Sequence, residues 1–336
     1  MNAAGAGSHH VGVDENGLGP RLGPLVVTAA MARMDQGGRE AMNRLRQGDV
    51  TRRLGDSKGL VSHKNVALGE AWARAVTARG AGRGALAARG PGDGRPSSDE
   101  LLHDLALDDR DALRAPCPAH VASQCWSPEH DPRGDDERIE RLTREVSADL
   151  DALAREGMEL VAVRSVILCT HRLNLALREG RSRLVEDLHA MERLVLEMRA
   201  IAGCDVEAVC GKVGGYKDYR KVFGPFGDRL HTVVEEGPAR SAYRIAGVGE
   251  VAFSRDADED DLLVGLASLI GKYVRELAMG RIVAHYRKQL PELPDASGYN
   301  DPVTARFVAA TAEERRRAKV PDSCFERLKA ADLKRR

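Results

Sequence analysis

Residues 10–27, H-V-G-V-D-E-N-G-L-G-P-R-L-G-P-L-V-V, constrain the fold of this chain most, because they set two adjacent carboxylates between apolar runs joined by a glycine-rich turn. Val11 and Val13 alternate with small residues, as in a strand entering a core, and Asp14 and Glu15 fall where the alternation stops. Gly17, Gly19, Gly23 and two prolines then let backbone approach a ligand closely, and residues 24–28 restart an apolar strand. A hairpin tip of this kind presents two carboxylates to a hard cation such as magnesium, and backbone N–H groups to a phosphate or sugar hydroxyl.

With 336 residues the chain can bury a sizeable core, and 43% hydrophobic and 30% charged residues describe a globular protein. Lys plus Arg and Asp plus Glu both number 51, so nucleic acid would have to be met by a local basic patch rather than by net charge. Aromatic residues, at 4%, are too few for a single-strand binder built on stacked bases. No apolar run approaches ~18 residues, and no charged n-region precedes an apolar h-region. The expectation is a cytoplasmic protein with no membrane contact.

Four of the six cysteines stand singly in or beside apolar segments, as reduced buried thiols do. Cys117, His120, Cys125 and His130 have the spacing of a zinc knuckle with its ligand types exchanged. Two prolines adjoin them and the turn lacks glycine, so zinc is not expected there and both thiols should react freely.

After the opening hairpin, residues 39–53 read as polar connection and 62–79 as helix. Residues 80–98 are rich in Gly, Arg and Pro and cannot bury enough apolar surface to order themselves, and the chain to about 132 reads as irregular. A charged amphipathic helix is expected at 136–156, a strand at 158–168, and a helix at 184–201 with Leu184, Leu188, Met191, Val195 and Met198 on one face. Strands follow at 206–210, around 230–235 and at 250–253, then a long helix from about 258. Its small residues Gly265, Ala267, Ser268 and Gly271 suit close packing on a sheet, and Glu276 shares the inward flank of its apolar stripe. A carboxylate there must be paired or bound to a cation.

These segments resemble the ribonuclease HII branch of the ribonuclease H superfamily. D-E-N-G-L-G-P-R-L-G-P stands beside the family's D-E-A-G-R-G-P-x-x-G-P, and Asp56, Ser57 and Lys58 beside its D-S-K-K-L. His171–Asn174, H-R-L-N, is similar to its D-x-L-N, and G-L-A-S-L-I-G-K-Y-V-R-E at 265–276 to its A-A-A-S-I-x-A-K-x-x-R-D. The likeness spans 11–79 and 158–327, roughly two thirds of the chain. It implies an α/β fold, a ribonuclease H-like mixed central sheet flanked by helices, with a helical C-terminal extension over the active-site edge. The domain then consists of 1–78 and 136–336, interrupted by an insertion, 79–135, that is largely irregular or disordered.

The resemblance also implies an endonuclease that hydrolyses RNA in RNA–DNA hybrids, or DNA with embedded ribonucleotides, leaving a 5′-phosphate. Four acids would gather two Mg2+ or Mn2+ ions. Asp14, Glu15 and Glu276 match three of them, with Glu276 standing where the family has Asp. At the strand-end position of the remaining acid this chain has Cys210 and Gly211. Asp205 enters the set through a register shift, or Glu235 substitutes, or the metal site is weakened and the protein is an inactive fold relative that binds nucleic acid. Substrate contacts are implied for Gly17, Leu18, Gly19, Ser57, Lys58 and Tyr299, with Leu18 in place of the family's arginine. Arg315, Arg316, Arg317 and Lys319 offer a basic run for the duplex.

Overall fold

The computed structural model describes residues 7–45, 52–54, 57–63, 65–88, 94–131 and 135–329. Within them, β1 (Ser8–Asn16), β2 (Leu25–Met34), β3 (Met158–Leu168), β4 (Val206–Gly211), β5 (His231–Glu236), β6 (Arg240–Ile245) and β7 (Gly249–Ser254) form one mixed sheet, ordered β3-β2-β1-β4-β7-β6-β5. β1 pairs antiparallel with β2 and parallel with β4, and β4 pairs parallel with β7. Three adjacent strands therefore end at the same edge, which is where open α/β sheets place their ligands. The mixed sheet flanked by helices expected from the resemblance is what the chain forms.

Strand periodicity sorts the two faces. Val11, Val13, Val27, Ala29 and Met31 point to the helix Arg183–Ala202, where Leu188, Met191, Val195 and Met198 meet them. Val26, Ala30 and Ala32 point the other way, toward Trp72 of the helix Ala67–Ala78 and the long helix Leu262–Arg287. That long helix lies directly on β1 at Gly12, where an added Cβ would fall 2.2 Å from the Val264 backbone nitrogen. Its N-cap is Asp261, which accepts from the Leu263 and Val264 amides and holds His10 Nε2 at 2.5 Å. The cap thus ties the helix start to β1.

The stretch expected to be a loose insertion is built differently. Residues 89–93, within the Gly/Arg/Pro-rich segment, lie outside the described residues, but the chain on either side is folded. A helix at Ser98–Leu105, opened by a Ser97/Glu100 capping box, places Leu101, Leu102 and Leu105 in the core around Trp72. Further on, Trp126 joins the same core, and Arg281 of the long helix is buried between Asp99 and Asp131. Helices of five to eight residues are too short to show a period in sequence, and Asp99 and Asp131 read as surface charges until a partner 150 residues or more away buries them. Ala81 O accepts from the Val163 amide at 2.7 Å and from Arg164, and Leu86 is buried. Deleting 79–98, which the composition alone marks as harmless, is therefore expected to lower the melting temperature by several degrees, measurable by thermal denaturation.

Other elements also escaped the sequence reading, among them a helix after β2 and the strand β6. The helix Gln36–Leu45 occupies part of the expected polar connection and carries Gly37 and Gly38 in its first turn, where Gly38 N donates to Asp35 Oδ1. β6 has no strong apolar run, and pairing with β5 and β7 on both sides makes it a strand. The long helix starts at Leu262, after a separate turn of helix at Ala257–Asp260.

The C-terminal helices Pro302–Ala310 and Ala312–Arg317 pack through Phe307 onto Tyr286 and Phe325. Arg315 belongs to this packing, with its guanidinium over the Phe325 ring; Arg316, Arg317 and Lys319 are exposed. The knuckle-like residues turn to different partners: His120 to Lys319 O, His130 to the His285 ring, and Cys117 to the Trp126 indole N–H. Burial pushes the Cys125 thiol up to about 12. Hydrogen bonding to Cys169 draws Cys117 down to about 6. None of the described helices is long and apolar enough to cross a membrane.

A pH effect arises on the face away from the long helix. Glu192 is buried and accepts from the Gly224 and Phe226 amides, and burial pushes its carboxyl up to about 7 from an ordinary 4.5. Between these values the folded state holds a proton that the unfolded state has released, so stability falls as pH rises from about 4.5 to about 7, by on the order of 3 kcal/mol. Glu192→Gln keeps the acceptor oxygen and should remove this slope; denaturant midpoints measured across that window check it.

Candidate active site

Asp14 and Glu15 end β1 and open a cleft of about 390 Å3. Gly17, Leu18, Gly211, Lys212, Arg255, Asp256, Asp258, Ser268, Lys272 and Tyr299 also line it. They come from the turn after β1, the end of β4, the turn after β7 and the inward face of the long helix, where Ser268 and Lys272 stand four apart, with Tyr299 from the loop that follows that helix. An ideal Cβ on Gly211 would lie 3.2 Å from Asp14 Oδ1 and 3.2 Å from Glu15 Oε2. The strand end of β4 thus faces both carboxylates, as the resemblance implies, but carries no acid.

Beneath the cleft lies an acid that the sequence reading passed over. Asp187, in the second turn of the helix Arg183–Ala202, is fully buried, and among the described residues neither of its carboxylate oxygens has a hydrogen-bond partner. Burial, reinforced by the charge of Asp14, pushes its carboxyl well above the usual range. Glu15 is raised in the same direction by burial first, then by Asp187, Asp14 and Asp258. The signal was present, because Asp187 follows Leu184 by three and precedes Met191 by four, inside the apolar stripe of that helix. Asp258 was hidden in an acidic run that reads as a solvated turn until β7 delivers it beside β4.

The other expected acids are elsewhere. Asp205 precedes β4, and the length of that strand, roughly 16 Å, separates it from Gly211. It lines a different cleft with Ser8 and His10. Glu235 sits on the outermost strand, paired with Arg240 at 2.7 Å. Glu276 is buried and inward-facing as expected, but it lies two turns beyond Lys272's neighbour Ser268 and lines a separate cavity. There it holds His63 Nδ1 at 2.7 Å and the Arg275 guanidinium. These two partners offset the burial of that carboxylate. Among the described residues, no three His, Cys, Asp or Glu side chains are gathered as they stand around a point that could hold a metal ion.

The turn after β1 is pinned from the far end of the chain. Arg327 is buried and donates to the carbonyls of Gly17, Leu18 and Gly23, while Asn300 Nδ2 donates to Gly19 O. Gly17, at φ +88°, packs so closely on Arg275 that a Cβ would lie 2.6 Å from its Nε. Arg275 in turn carries the Tyr299 ring 4.7 Å from its guanidinium carbon. Tyr299 is about half exposed and lines the cleft together with Gly17 and Leu18. Ser57 and Lys58 begin the short helix Ser57–Leu60, and Asp56 lies outside the described residues.

No family model matches this chain, and no curated protein does. Among solved structures, it is similar in fold to ribonucleases HII and HIII. A ribonuclease HII in complex with PCNA from Archaeoglobus fulgidus is 15% identical, with 95% of this chain and 94% of that one covered and a TM-score of 0.43. Bst-RNase HIII in complex with Mn2+ is 16% identical, with 99% and 72% covered and a TM-score of 0.43. Ribonuclease H2 from Pyrococcus horikoshii OT3 is 15% identical, with 94% and 92% covered and a TM-score of 0.39. At these identities the likeness concerns fold, and the site residues stand on this chain's own geometry.

Proposed function

We propose that this protein is a divalent-metal-dependent endonuclease that hydrolyses the RNA strand of RNA–DNA hybrids, or DNA at embedded ribonucleotides. The observation that carries this reading is the edge where β1, β4 and β7 end together, with Asp14, Glu15 and Asp258 in one cleft beside Lys212, Arg255 and Lys272. Clustered carboxylates repel a phosphodiester unless a cation lies between, and an all-oxygen donor set suits Mg2+ or Mn2+. The buried, unpartnered oxygens of Asp187 fit the same group. When bound, such ions activate water and stabilise the leaving 3′ oxygen.

The chain's own residues do the rest. Asp14, Glu15 and Asp258 would hold the ions. The Gly17–Gly19 turn, held in one conformation by Arg327 and Asn300, forms a rim against which a ribose can be set, and the Tyr299 ring faces it as a stacking surface. Lys212, whose ammonium bonds Gly237 O and Ser241 Oγ, lines the same cleft and offers a positive charge to a phosphate. One observation favours a second reading, a nucleic-acid-binding relative with weak catalysis: Gly211 leaves the β4 strand end without an acid. Incubating the chain with a labelled hybrid and with a duplex carrying one ribonucleotide, with Mg2+, Mn2+ or EDTA, tests the two. Metal-dependent products with 5′-phosphate ends support the nuclease; hybrid binding without cleavage supports the alternative.

A further inference from the structure

We propose that Asp187 supplies the carboxylate missing from the end of β4, so that one member of the metal-holding set comes from the helix Arg183–Ala202 instead of the sheet. The proposal rests on the metal-dependent reading above. The other carboxylates of the interior have found partners. Glu70 meets Arg74, Asp149 meets Arg53, Glu276 meets His63 and Asp261 meets His10. Glu192 has two backbone amides. Among the described residues, Asp187 alone has both carboxylate oxygens buried and bare.

Both carboxylate oxygens of Asp187 are buried without a hydrogen-bond partner among the described residues, and Asp14 and Glu15 are its neighbours. A divalent cation shared with those two acids would supply what the oxygens lack. Gly211 is the complementary half of the arrangement. A side chain there would begin 3.2 Å from Asp14 and Glu15, so its absence leaves their inner side to a carboxylate arriving from the helix.

The test reads metal binding directly. Mn2+ is titrated calorimetrically into the full chain and into Asp187→Asn, with Asp187→Ala as a second variant should the amide disturb folding, and circular dichroism reports the fold of each. Binding weakened at least tenfold in the variants is expected, with a metal-free melting temperature that holds or rises, because an unpaired buried carboxylate has been removed. A purely structural Asp187 would instead lower the melting temperature and leave the affinity within twofold of the parent, and that result overturns the proposal. Restoration of Mn2+ binding in Asp187→Asn by adding Gly211→Asp would support it further. Parent protein that binds no Mn2+ up to millimolar concentration overturns the nuclease reading as well, whereas parent binding that both variants retain overturns Asp187 alone.

Discussion

Asp14→Asn is expected to reduce metal-dependent hybrid cleavage by more than about a hundredfold while leaving the chain folded. The side chain keeps its shape and loses only the charge that a divalent ion would meet. Asp14 lies at the end of β1, partly open to the cleft, and its carboxylate faces the bare strand end at Gly211. The loss should appear in the rate at saturating hybrid rather than in hybrid affinity, because in the proposed function duplex binding falls to the Gly17–Gly19 rim and to Lys212, Arg255 and Lys272. Single-turnover kinetics on a labelled hybrid, with circular dichroism to confirm the fold, check this. Activity within a few-fold of the parent would remove Asp14, and with it the edge of the sheet, from the chemistry.

The second large effect is on the frame. Gly12→Ala should destabilise the protein by about 3 kcal/mol or more, since its Cβ would sit 2.2 Å from the Val264 nitrogen and 2.3 Å from the Leu263 carbonyl carbon. Both obstacles are backbone, so relief requires the whole helix to move away from β1. That helix brings Ser268 and Lys272 to the cleft and starts just after the Ala257–Asp260 turn that carries Asp258. Gly12→Ala should therefore lose activity as well as stability. A matching substitution at Gly19, where a Cβ meets nothing within 4 Å, should change the melting temperature little. Thermal melts of both variants make the comparison, and a Gly12→Ala protein melting within about two degrees of the parent would contradict the packing described.

The parts of this protein that were legible in sequence are those that local pattern controls. Val11 and Val13 announced β1 by alternation, and the break at Asp14 and Glu15 marked where it ends. The small residues of the long helix announced close packing, and Gly271, whose Cβ would lie 2.8 Å from Asn16 and Thr28, shows the reason. Tyr299 was named a substrate contact by resemblance alone, and its position in the structure follows from Arg275 and the Gly298 carbonyl, which accepts from the Arg21 and Leu22 amides.

What pattern could not reach was the partner of each inward carboxylate. Glu276 and Asp187 both lie on the apolar flank of a helix, and by sequence they are the same kind of residue. The fold gives Glu276 an imidazole and a guanidinium from loop and helix, and gives Asp187, among the described residues, no hydrogen-bond partner beside Asp14 and Glu15. Asp205, chosen for its nearness in sequence to the missing acid, was carried to the opposite edge by the direction of β4. The sequence by itself thus determined the strand and helix faces and the pair of acids at the end of β1, because side-chain period and chain breaks act over a few residues. Only the tertiary structure decided which further carboxylates join that pair, since this depends on strand order, helix placement and the long-range partners that other inward carboxylates such as Glu276 find.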